Sequence, residues 1–125
     1  INLKPAFYVL QKVVPVMRKQ KSGMIINISS RSGLHAKARS GGYAASKFAL
    51  VGLNESLYRD ATADGIKVTA LCPGWVDTSM SQHSGLDDQD KIQTEDIVET
   101  VRWLLKLSPA ACVKDLMIES IKQVQ

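Results

Sequence analysis

Cysteine and histidine are both scarce in this chain of 125 residues, with two of each. Cys72 falls in an apolar run and Cys112 in a late loop, so they suggest neither a disulfide framework nor a thiolate metal site. That usage fits a reducing cytoplasm. His35 and His83 stand apart, without a partner at ligand spacing, and no metal site is expected. No apolar run approaches the ~18 residues of a membrane span, and no secretory signal opens the chain. Aromatic residues make up 6%, too few to interleave a basic tract with the stacking platforms of nucleic-acid binders. Internal repeats, low-complexity tracts and linkers are also missing. Membrane and nucleic-acid partners are therefore not expected.

What is present describes one ordinary α/β domain over residues 1–125. A hydrophobic content of 45% against 22% charged residues suffices for one core, and the length is too short for two. The net charge of +4 gathers in two places, residues 12–21 and 31–39. The first reads as a solvated helix end. The second, with Arg31, Lys37 and Arg39, reads as a solvated loop that could also meet an anionic substrate. The first residue is Ile1 rather than Met, inside what reads as a helix, so a truncated start is expected.

Periodicity orders the elements. Phe7, Leu10, Val14 and Met17 form a helical stripe over residues 1–20, in which Pro15 should kink the helix or end its regular part. Met24–Ile28 reads as a short buried strand. A polar loop leads to an alanine-rich helix over 43–61, with Ala45, Phe48, Ala49, Gly52, Leu53 and Leu57 on one side. Asp64-Gly65 closes it, and residues 66–71 form a second strand, parallel to the first through a βαβ crossover. After Pro73-Gly74 the chain is polar to Asp90. Thr94, with Glu95 and Asp96, reads as the cap of a helix that buries Ile97, Val98, Val101, Leu104 and Leu105. Leu116–Ile118 reads as a last strand.

The chemistry begins with Tyr43 and Lys47, which share one face near the amino end of a helix. A free phenol titrates near pH ~10. An ammonium and the positive end of a helix dipole both favour phenolate, which would let such a tyrosine exchange a proton near neutrality. Alone, the pair is equally readable as a surface Tyr and Lys. Asn27-Ile28-Ser29-Ser30 closes a predicted strand, where open α/β sheets place their sites. Ser30 stands thirteen residues before Tyr43.

This set resembles the short-chain dehydrogenase/reductase family, in its single-domain branch and over the carboxy-terminal portion. There a strand-end serine and a Tyr-x-x-x-Lys helix meet at a nicotinamide. The resemblance implies roles residue by residue. Ser30 would bond the substrate oxygen, Tyr43 act as acid or base, and Lys47 bind the nicotinamide ribose and support Tyr43. Asn2, in Ile1-Asn2-Leu3-Lys4, matches the asparagine that holds a water in the proton relay. Pro73, Gly74, Val76 and Thr78 match the segment that approaches the nicotinamide carboxamide, where glycine permits the close contact. Implied with them are NAD or NADP as cofactor, a small carbonyl or alcohol as substrate, and a homodimer or homotetramer pairing the helices over 1–20 and 43–61.

Two departures qualify the match. The eight glycines include no Gly-x-x-x-Gly-x-Gly turn to cradle a pyrophosphate. The expected fold is thus a partial Rossmann-like doubly wound parallel sheet lacking its amino-terminal dinucleotide-binding half, inactive by itself. The segment 79–94 is short, and no glycine pair follows the last strand. These features point toward reductases of small carbonyls rather than of acyl-carrier-protein substrates. Two other readings stand beside the reductase: an inactive relative serving as a binding or regulatory partner, and an epimerase or dehydratase of the extended branch.

Overall fold

The computed structural model describes residues 3–123. Three strands form one parallel sheet in the order β1-β2-β3, with β1 at Gly23–Ile28, β2 at Ile66–Pro73 and β3 at Asp115–Ile118. Three helices accompany them: α1, Leu3–Gln20, before β1; α2, Gly41–Ala61, between β1 and β2; and α3, Thr94–Lys106, between β2 and β3. The β1-α2-β2 crossover is the expected one, and Gly23 to Ile28 of β1 align with Ile66 to Leu71 of β2. Central position explains why β2 is apolar almost throughout: Val68, Ala70, Leu71 and Cys72 are fully buried.

One side of the sheet is closed by α1 and α2. Leu10 and Val14 of α1 pack with Ile25, Ala61, Ile66 and Val68, and Met17, Leu53, Leu57 and Tyr58 border this cluster. The helix runs through Pro15 to Gln20 instead of ending there. Pro15 lies on the exposed side, while Val14 and Met17 hold the flanking turns to the core. Phe7, assigned to the apolar stripe, is exposed.

The packed face of α2 also differs from expectation. Ala44, Leu50, Asn54 and Ala61 are buried against the sheet, whereas Ala45, Phe48, Ala49 and Gly52 face outward. The alanines are uniform enough that pattern alone could not select the inward side. Polar pairing helps to select it: Asn27 of β1 donates its amide to Asn54 at 2.9 Å, and Asn54 donates to the Lys114 carbonyl at 3.1 Å. One buried polar chain thus connects β1, α2 and the segment entering β3.

Charge pairing locks the far ends of α1 and α2. Arg18 reaches Asp64 at 2.5 Å and Asp60 at 2.7 Å, and Lys21 reaches Asp64 at 3.1 Å. Of the basic cluster at the end of α1, Arg18 and Lys21 are therefore partnered, while Lys12 and Lys19 are exposed. Gly65 makes this closure possible. Its φ is +77°, and a Cβ there would meet the Lys21 carbonyl.

On α3 only Leu104 is buried, while Val98 and Leu105 are exposed. A shallow groove lined by Thr100, Trp103, Leu116 and Ile118 separates α3 from β3, so one line of side chains is covered rather than a wide stripe. Gln93, not Thr94, caps this helix: Asp96 accepts from the Gln93 N–H at 2.8 Å, three residues away as in a capping box.

Candidate active site

The carboxyl ends of β1 and β2 open onto a cleft of about 510 Å³. Ser30 leaves β1 with extended backbone and starts a short helical turn at Arg31–Gly33. Its hydroxyl oxygen accepts the Ser32 N–H at 3.1 Å, which leaves the hydroxyl proton available. Ser29 is buried and donates to the Lys47 carbonyl at 3.2 Å. Both serines line the cleft, but they divide in their bonding: the Ser29 hydroxyl proton braces α2, and that of Ser30 stays available.

Tyr43 and Lys47 occupy the first turns of α2. Half-exposed Tyr43 lines the cleft, and the Lys47 ammonium lies 5.6 Å from the centre of its ring. Both helix and loop are anchored from below, because Gly33 sits against Ser29, Val51 and the Lys47 backbone with no room for a side chain.

The third wall is the segment after β2. Pro73, Gly74, Val76 and Thr78 all line the cleft. The Gly74 N–H bonds Ile118 at 2.7 Å, extending the pairing with β3. Val76 forms a parallel bridge with Ile92, flanked by Ile92 N–H to Trp75 carbonyl at 2.9 Å and Asp77 N–H to Ile92 carbonyl at 2.8 Å. The buried Ser81 hydroxyl accepts the Thr78 N–H at 3.3 Å and donates to the Thr78 carbonyl at 2.9 Å. Thus the backbone at 74–78 is held on both sides.

Seven sequence-predicted residues, Ser30, Tyr43, Lys47, Pro73, Gly74, Val76 and Thr78, share this one cleft. Asn2 lies outside the described residues. The sequence reading missed Ser81, Ile92 and Gln123. The three-residue spacing from Thr78 to Ser81 is a legible turn signal. Gln123 carried none, since its carboxamide oxygen accepts the Trp75 N–H at 3.2 Å from the far end of the chain.

That carboxamide also tests the fit of a nicotinamide. Gln123 fills the space that a side chain at Gly74 would occupy. A glycine-bared backbone beside an N–H that binds a primary carboxamide suits the nicotinamide end of a dinucleotide. The pyrophosphate end has no glycine-rich cradle in residues 1–125.

The family model described as short chain dehydrogenase matches residues 1–89. The chain belongs to the short-chain dehydrogenase family. Among similar members, an oxidoreductase of Staphylococcus epidermidis is 31% identical over 121 residues, which are 97% of this chain and 53% of that protein. A solved β-ketoacyl-[ACP] reductase from Bacteroides thetaiotaomicron is 42% identical with a TM-score of 0.85, covering 99% of this chain and 51% of that one. A 4-hydroxyisoleucine dehydrogenase complexed with NADH is 28% identical with a TM-score of 0.82, covering 96% and 55%. This family member therefore spans about half the length of the curated relatives it matches, and its three-stranded parallel sheet is a Rossmann-like part. No described helix is long and apolar enough to cross a membrane.

Proposed function

We propose that this chain supplies the catalytic half of an NAD- or NADP-dependent enzyme that interconverts a carbonyl and an alcohol. The observation that carries the reading is the convergence of Ser30, Tyr43 and Lys47 with the Gly74–Thr78 backbone on one cleft. The cofactor supplies or accepts the hydride. Ser30, with its oxygen already engaged by Ser32, directs its proton at the substrate oxygen and stabilises charge that gathers there. Tyr43 gives its phenolic proton to that oxygen in reduction and takes it back in oxidation. The Lys47 ammonium beside the ring offsets negative charge left on Tyr43 and would also bond the ribose hydroxyls. Asn2 completes the set by the family resemblance, holding a water from which Tyr43 is reprotonated. The Gly74–Thr78 segment, Pro73, Val76 and Thr78 included, would hold the nicotinamide.

Activity belongs to a protein in which a glycine-rich amino-terminal half stands beside these strands; the chain alone binds cofactor poorly. A titration of the isolated chain with NADPH checks this, and saturation at micromolar concentration would overturn it. In the intact protein, cofactor oxidation with a panel of small ketones and aldehydes tests the reaction. Absence of turnover with every carbonyl, despite cofactor binding, would favour a binding or regulatory role. The exposed Tyr8, Val9 and Val16 of α1 and Phe48 of α2, beside Ala45, Ala49 and Gly52, support a homodimer or homotetramer formed through these helices. Sedimentation of the intact protein checks that assembly.

A further inference from the structure

The loop between β1 and α2 carries three cations, and the fold treats each differently. Arg31 is ion-paired with Glu119. Arg39 is exposed and does not line the cleft. Lys37 does line it, with its ammonium 5.5 Å from the centre of the Trp75 ring. Among the described residues no carboxylate lies within ion-pair distance of Lys37. No aspartate or glutamate lines the cleft either. Its positive charge is therefore offset only at Arg31.

We propose that Lys37 and Trp75 form the seat for a carboxylate on the substrate, so that the site takes small oxo acids and hydroxy acids in preference to neutral carbonyls. The inference rests on the carbonyl–alcohol reading above. Trp75 follows Gly74 directly and lines the cleft, so its ring forms a wall beside the Ser30 and Tyr43 side of the site. Lys37 is exposed, as Arg39 is, but its ammonium rests over that wall at the rim of the cleft. A cation over an exposed ring is weakly held and readily exchanges that contact for an anion. A carboxylate bound there would share the cleft with the Ser30 and Tyr43 hydroxyls, which take the carbonyl end. The opposite polarity, an anion-repelling acid beside the hydroxyls, is what a site selecting neutral or cationic substrates would show.

The groups concerned all belong to this chain, so binding can be read without turnover. The test uses the full chain carrying Trp103→Phe, labelled with ¹⁵N-tryptophan, and follows the Trp75 indole resonance. The probes are 4-oxopentanoate, its methyl ester and inorganic phosphate. The acid should shift the resonance with saturation, and the ester should bind about tenfold more weakly, the worth of one charge-assisted hydrogen bond. Lys37→Met should weaken the acid by about the same factor and leave the ester unchanged, while Lys37→Arg retains most of the preference. Equal binding of acid and ester, or indifference of the acid to Lys37→Met, would overturn the carboxylate seat alone. Phosphate binding as tight as the acid would assign Lys37 to a phosphate group and overturn it too. No shift with either carbonyl compound would remove the carbonyl site itself, and with it this inference.

Discussion

Ser29 donates its hydroxyl to the backbone carbonyl of Lys47 at 3.2 Å, tying the end of β1 to the first turns of α2. The bond holds the strand-end serines and the Tyr43–Lys47 helix in one frame. It also explains how two adjacent serines, chemically alike, come to differ in use.

Substitution of each serine should separate those uses. Ser30→Ala should lower kcat/KM of the intact enzyme by about 10²–10³-fold, the usual loss for one donor to a developing oxyanion. Stability should be little changed, because Ser30 is only partly buried. Ser29→Ala should instead cost about 1 kcal/mol of stability, with a smaller effect on turnover. Paired measurements of steady-state kinetics and urea unfolding check this, and a larger catalytic loss in Ser29→Ala would reverse the assignment.

Tyr43→Phe keeps the ring under the Lys47 ammonium and removes only the hydroxyl whose proton is proposed to be exchanged. Loss of a positioned acid–base group should lower kcat by about 10²–10⁴-fold. Cofactor affinity should stay within a few-fold, as the ring and Lys47 remain. Lys47→Met should weaken both, because it removes the partner of Tyr43 and the proposed ribose donor together. Cofactor titration alongside kinetics distinguishes the two patterns.

The element order and the cleft residues were legible because they depend on local signals. The turn at Asp64-Gly65 marked the start of β2, and the paired hydroxyls and glycine fell at strand ends. What escaped depends on contacts distant in sequence. Nothing in the alanine-rich run reveals that Ala44 rather than Ala45 faces the sheet, since both have the same side chain and the contacts that orient the helix, the Asn27–Asn54 bond among them, come from residues distant in sequence. The apolar stripe of α3 overstated burial because a hydrophobic pattern does not say how much surface is available to cover it. Among Arg31, Lys37 and Arg39, sequence could not show which cation is neutralised, because Glu119 comes from beyond the last strand.

The Asn27–Asn54 pair makes a further prediction about stability. Asn54 is 1% exposed, and Asn54→Ala would leave the Asn27 amide and the Lys114 carbonyl without their partner. Burying such groups unpaired costs about 1–3 kcal/mol each. Urea unfolding should show a lower midpoint at an unchanged m value. Asn54→Asp should also destabilise, because it places a charge in the same enclosed position. A midpoint equal to the parent's would mean that water replaces the lost bonds.

Asp64 should govern part of the acid unfolding. Hydrogen bonds from Lys21 and then Arg18 lower its pKa below the ordinary carboxylate value, against a smaller opposing effect of burial. A depressed folded-state pKa means that the folded chain holds the carboxylate more strongly than the unfolded chain does. The resulting stabilisation is fully present above the unfolded pKa of about 4 and is lost as pH falls through the folded value. Asp64→Asn should therefore be less stable than the parent near neutrality, and its stability should fall less steeply between about pH 5 and pH 2. The remaining acid dependence should include Glu55, whose pKa is lowered by Arg59 and Lys114. Urea midpoints across that range at low salt measure the slope directly. Added salt should narrow the gap between parent and variant, because Arg18 and Lys21 lie near solvent and their attraction is screened. Parallel acid limbs for the two proteins would mean that this ion cluster contributes no linkage and that other carboxylates carry the acid transition.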